Sequence, residues 1–138
     1  MSISVTRLDH VAIAADNVSA MAAWYGTVLG LEVVVEAGPN PPQTQKVFLI
    51  GPASGKGIAG GMMIEVMPRN ETVRHERNSH EPGLSHVAFA VADFAAALGH
   101  LRSCQVRFLS EVIEAIGGGR LISFADLEGN MLQIIERN

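Results

Sequence analysis

The stretch LDHVAIA, residues 8–14, returns as LSHVAFA at residues 84–90, a displacement of 76 positions. The leucine, the histidine, the valine and both alanines coincide. A second echo follows at a displacement of 68, where GMMIEV (61–66) lies over GNMLQI (129–134). Internal similarity at a steady displacement marks a duplicated unit. The two displacements differ by 8 because the first copy carries the longer loop, residues 51–60.

Each copy meets an Asx residue and then a helical pattern. Val18, Met21, Ala22, Tyr25 and Leu29 follow the spacing of one helix face, which predicts a helix over 18–29. Asp16 or Asn17 can cap its start, and Gly30 suits the left-handed residue after its end. Phe94, Ala97, Leu98 and Leu101 predict a second helix over 94–103, with Asp93 as its cap. Strand patterns complete each copy: 31–37, 45–50 and 61–67 in the first, 105–110, 120–125 and 130–136 in the second. The fold class is therefore α+β, with two βαβββ modules in one chain of 138 residues. Module one is expected over about 5–67 and module two over about 84–137. The polar segment PRNETVRHERNSHEPG, 68–83, is the linker.

Strand side chains alternate faces. His10 shares a face with Leu8, Ala12 and Ala14, and His86 with Leu84, Ala88 and Ala90. Val11 and Ile13, like Val87 and Phe89, lie on the opposite, bulky face that a helix would cover. Alanines beside a histidine leave space on the sheet, which a pocket needs. The same parity groups Glu65 with Met63 and Met67, and Gln133 with Met131 and Ile135. If the modules pair about a pseudo-twofold axis, His10, Glu65, His86 and Gln133 converge on one cavity. Two imidazoles, a carboxylate and an amide oxygen suit one divalent ion, Fe, Mn, Co, Ni or Zn, with positions left for water or substrate. Glu65 among methionines would be costly to bury without such a partner charge.

Composition closes off other classes. The net charge of −4 and pI near 5.7 leave no basic face for nucleic acid. No apolar run approaches the roughly 18 residues of a membrane span. Cys104 is alone, so a reducing cytoplasmic setting is expected and the thiol reads as a small residue near a helix end. Gly117-Gly118-Gly119 is not a phosphate loop, since no lysine or helix start follows it.

These residues resemble the vicinal oxygen chelate superfamily, which includes glyoxalase I, methylmalonyl-CoA epimerase, extradiol dioxygenases and the bleomycin and fosfomycin resistance proteins. The resemblance lies in LDHVAIAADNVSAMAAWYGTVLGLEVV (8–34), GGMMIEVMP (60–68), GLSHVAFAVADFAAALGHLRSCQVRFL (83–109) and FADLEGNMLQIIE (124–136). It implies paired βαβββ modules that form an open, partly closed barrel around a metal, with ligand positions at His10, Glu65, His86 and Gln133. It also implies a homodimer, in which the modules pair either within a chain or between chains. One departure stands out: glyoxalase I and the epimerase carry a glutamate on the last strand, where this chain has Gln133. An amide has no acid–base function near neutral pH. Glu136 is close by in sequence, but strand parity aims it at the other face.

The resemblance thus implies a divalent-metal-dependent lyase or isomerase acting on a small oxygenated molecule. Glu65, or a metal-bound hydroxide, would take a proton next to a carbonyl and return it through an enediolate. The alternatives are an Fe(II) extradiol-type dioxygenase and a non-catalytic drug- or metabolite-binding protein of the bleomycin-resistance kind. Arg69, Arg74, Arg77 and Arg120 are candidates for gripping an anionic part of the substrate. His75, His80 and His100 read as exposed.

Overall fold

A computed structural model describes residues 2–138, which fall into two compact units, 2–72 and 73–138. The first unit runs β1 (His10–Ala15), α1 (Val18–Leu29), β2 (Glu32–Ala37), β3 (Val47–Gly51), a 3-10 turn (Gly57–Gly60) and β4 (Met63–Pro68). The second runs β5 (Val87–Ala90), α2 (Phe94–Ser103), β6 (Ile113–Glu114), β7 (Arg120–Ala125) and β8 (Met131–Glu136). Each unit is thus a βαβββ module, and the fold class is α+β as expected. Among the described residues no helix is long and apolar enough to cross a membrane.

The sheets repeat one topology. The first is ordered β1-β4-β3-β2 and the second β5-β8-β7-β6, with β1–β4 and β5–β8 parallel and the remaining pairs antiparallel. The parallel pairing requires a crossover, which each helix begins. In the first unit Val66 and Ile50 are fully buried with Met21, Tyr25 and Val18 of α1. Burying a side chain of that size is worth roughly 1.5–3 kcal/mol, so this face anchors the helix. In the second unit Phe94 and Leu101 of α2 are buried, as are Leu132 and Ile134 of β8. The face carrying His10, Ala12 and Ala14 is left open.

Both helices begin with the predicted caps. The side-chain oxygen of Asn17 accepts from Ala20 N at 3.0 Å, and that of Asp93 from Ala96 N at 3.0 Å. Gln45 adds a second clamp on α1: its Oε1 accepts from Val18 N at 2.9 Å and its Nε2 donates to Asp16 O at 2.8 Å. Gly30 closes α1 in the left-handed conformation, with φ 69°. Replacing Asn17 by alanine should cost about 1 kcal/mol of unfolding free energy in urea titration. A loss below a few tenths would mean that Gln45 alone secures the helix start.

The strand predicted over 105–110 is corrected. Gln105 leaves α2 with φ 57°, and Val106 N still bonds Leu101 O, so the first residues are spent on ending the helix. Only Phe108 bridges β7, opposite Phe124. At the next place in the ladder Ser123 N donates to the Ser110 hydroxyl at 2.9 Å. A side chain thus stands where a backbone carbonyl would, and regular pairing resumes only at Ile113–Glu114.

Candidate metal-binding and substrate site

Register places the candidate ligands in rows across each sheet. In the first unit β1 pairs with β4 so that His10 lies beside Met63 and Ala12 beside Glu65. Glu65 pairs onward with Leu49 of β3, and Leu49 with Val35 of β2. The register of β2 shifts between Val33 and Val35, a bulge that turns Val35 to the Glu65 side. One row therefore reads Ala12, Glu65, Leu49, Val35. The second unit repeats it: Ala88 pairs with Gln133, and Gln133 with Ser123. Glu65 and Gln133 are equivalent in the two ladders, and Leu49 is replaced by Ser123.

His10 and Glu65 meet. His10 Nε2 is 3.2 Å from Glu65 Oε2, while His10 Nδ1 donates to Asp9 Oδ2 at 2.8 Å. The Asp9 hydrogen bond raises the His10 imidazole above the ordinary histidine pKa; the charges of Glu65 and Asp9 add to this, and desolvation opposes it. With Nδ1 occupied by Asp9, the neutral ring has its lone pair on Nε2, facing Glu65.

That arrangement fits a transition-metal ion. Two donors each ~2.1 Å from one ion stand about 3.2 Å apart at an angle of about 100°, between tetrahedral and octahedral values. A carboxylate on the far ring nitrogen is the usual partner of a metal-ligating histidine. Among the described residues no three His, Cys, Asp or Glu side chains form a cluster able to hold an ion by themselves, so this pair supplies two donors.

In the second unit His86 immediately precedes β5, and its Nδ1 is 2.9 Å from Ser85 Oγ. Ser85 thus occupies the place of Asp9 in the repeat. Gln133 is only 8% exposed and donates from Nε2 to Ser123 Oγ at 3.1 Å. That bond engages the amide nitrogen and leaves the amide oxygen outside it. Glu136 lies on the α2 side, where Oε1 accepts from Phe94 N at 3.2 Å.

Each of the four candidate arginines has partners within the protein. Arg69 pairs with Asp16, and Arg74 donates to Asn130 Oδ1. Arg77 donates to the carbonyls of Leu84, Glu81 and Pro82. Arg120 pairs with Glu136 at 3.2 Å and lies over the Phe94 ring at 4.6 Å. In the linker His75 Nε2 is 2.8 Å from Glu81 Oε1, a contact that holds the Glu81 carboxyl below its ordinary pKa.

A cavity of about 340 Å³ opens on the His10 face of the first unit. Asp9, His10 and Glu65 form its polar end, and Val35, Val47 and Leu49 its apolar wall. Sequence reasoning missed Asp9 and Ser123. The signal for Asp9 was its place before the repeated histidine; Ser123 had none, since only register sets it beside Gln133.

Over residues 7–134 the sequence matches the family model described as Glyoxalase/Bleomycin resistance protein/Dioxygenase superfamily. No curated protein gives a significant match. Among solved structures, a glyoxalase family protein from Enterococcus faecalis is 23% identical, with 95% of this chain and 98% of that one covered at a TM-score of 0.73. A glyoxylase/bleomycin resistance protein/dioxygenase domain from Frankia sp. EAN1pec is 18% identical, with coverage of 98% and 100% and a TM-score of 0.73. A glyoxalase family protein from Bacillus cereus is also 18% identical, with coverage of 96% and 95% and a TM-score of 0.74. At these identities the likeness concerns the fold.

Proposed function

The chain belongs to the glyoxalase/bleomycin resistance protein/dioxygenase superfamily, and from that premise we propose that it is a divalent-metal-dependent lyase or isomerase that moves a proton next to the carbonyl of a small oxygenated molecule. The observation that carries this reading is the facing of His10 Nε2 and Glu65 Oε2 at 3.2 Å, on the helix-free side of the sheet and at the mouth of a cavity.

His10, Glu65, His86 and Gln133 would hold the ion, as Fe, Mn, Co, Ni or Zn. When bound, the ion acts as a Lewis acid on a substrate oxygen. The rest of the chemistry belongs to the chain. Glu65 is the lone carboxylate of the set, so these residues would leave a divalent ion with a net charge of +1, which would suit an anionic substrate. Gln133 is neutral and transfers no proton, which leaves Glu65 to take the proton from carbon and return it to the same or the neighbouring carbon. Asp9 keeps His10 in the tautomer that presents Nε2. The apolar wall excludes water from the reacting carbon. We further propose that the protein works as a homodimer in the cytoplasm.

The test joins elemental analysis of gently purified protein with proton–deuterium exchange of α-hydroxy and α-keto carbonyl compounds in D2O. A near-stoichiometric divalent ion and exchange that stops on chelation are expected. Absence of any bound divalent ion, or exchange indifferent to chelation, would overturn the proposal. Asp9→Asn should weaken the ion's affinity 10- to 100-fold by calorimetry, the usual effect of removing such a partner. Ser85→Ala, which removes only a hydroxyl, should cost less.

A further inference from the structure

The loop between β3 and β4, residues 52–62, is longer than its counterpart between β7 and β8, residues 126–130. It bends back as the 3-10 turn Gly57–Gly60 and sets Ile58 on the cavity wall. Arg7 holds it there. Arg7 Nη2 donates to Ile58 O at 3.2 Å and Nη1 to Ala59 O at 3.4 Å. Nη2 also reaches Asp9 Oδ1 at 3.4 Å, and the other oxygen of Asp9 receives the His10 proton. One carboxylate therefore joins the loop's anchor to the imidazole at the polar end of the cavity.

The chemistry of the wall is one-sided. Beyond Asp9, His10 and Glu65, every lining residue is apolar, and no lysine or arginine lines the cavity. A phosphate or carboxylate on the far part of a ligand would meet only apolar side chains. The volume of about 340 Å³ corresponds to about eleven non-hydrogen atoms at roughly 30 Å³ each. Ile58 is 51% exposed, so its side chain is accessible to a ligand in the cavity.

We propose that Ile58 is the specificity-determining residue of this site: it sets the length of a short, uncharged aliphatic group attached to the oxygens that bind at His10 and Glu65, and Arg7 is its positioning residue. The assignment of the polar end rests on the function proposed above; the apolar end does not.

The test uses neutral primary amides from acetamide to octanamide, which need no metal, on methyl-labelled protein followed by NMR. Affinity should rise roughly fourfold per methylene until the chain meets Ile58, and then level off. The shifts should centre on the Ile58, Val35 and Leu49 methyls. In Ile58→Ala the levelling should move out by about two carbons, and Arg7→Met should blur it. Amides of equal length that end in a carboxylate at the far carbon should bind at least about tenfold more weakly than the plain amides. The same levelling point in the parent protein and Ile58→Ala, or equal binding of the carboxylate-ended amides, would overturn the proposal. Divalent-ion titration of the same samples separates the two readings: loss of ion binding with the length limit intact sinks the metal chemistry alone.

Discussion

Glu65→Gln protein should purify folded, yet bind a divalent ion more than about 100-fold more weakly than the parent chain, beyond the 10- to 100-fold typical of outer-shell partners. Glutamine keeps the shape of the side chain and can still hydrogen-bond His10 Nε2, so the metal-free proteins should melt at similar temperatures. What disappears is the charge, and nothing nearby replaces it. Ala12 and Leu49 flank Glu65 in its row. Asp9 is committed to the other ring nitrogen of His10, and Glu136 faces α2. The difference should therefore emerge only on metal addition. At an ion concentration a hundred times the parent's Kd, the parent gains about 2.7 kcal/mol and the variant about 0.4 kcal/mol. Proton–deuterium exchange should fall with it. Retention of parental affinity, or full turnover without this carboxylate, would remove Glu65 from both of its proposed roles.

Much of this site could be read along the chain because the chain is written twice. The recurrence of histidine between leucine and valine identified β1 and β5. Strand parity then placed Glu65 and Gln133 on the faces away from the helices, where register puts them. The parts that stayed hidden depend on contacts distant in sequence. The bulge between Val33 and Val35 decides which valine faces the cavity, and three adjacent valines carry no parity of their own. The strand expected over 105–110 was misread because its alternating apolar residues suit a strand. The Ser110 hydroxyl takes a ladder position that only tertiary pairing creates. Nothing along the chain marks Arg7, since its partners at Ile58 and Ala59 lie some fifty positions away.

The largest loss of stability from a single methyl group is expected at Gly119→Ala. Gly117, Gly118 and Gly119 have φ values of 89°, 98° and 96°, a left-handed run that turns the chain from β6 into β7. A Cβ on Gly119 would lie 1.8 Å from Glu136 O and 3.0 Å from Arg137 Cα. Both are backbone atoms, so no rotamer change relieves the clash, and β7 must part from β8 where Arg120 pairs with Glu136. Strain at positive φ alone costs of order 1–3 kcal/mol; with the clash, a loss of about 3 kcal/mol or more is expected, seen as a fall in Tm of roughly 10 °C. Gly129 supplies the control. Its φ of 91° is nearly the same, but a Cβ there would meet nothing within 4 Å. Gly129→Ala should therefore show the conformational cost alone, near the lower end of that range. Equal losses at both positions would mean that β7 and β8 yield easily. The ladder that brings Ser123 to Gln133 would then be too soft to hold the amide oxygen in place for the proposed ligation.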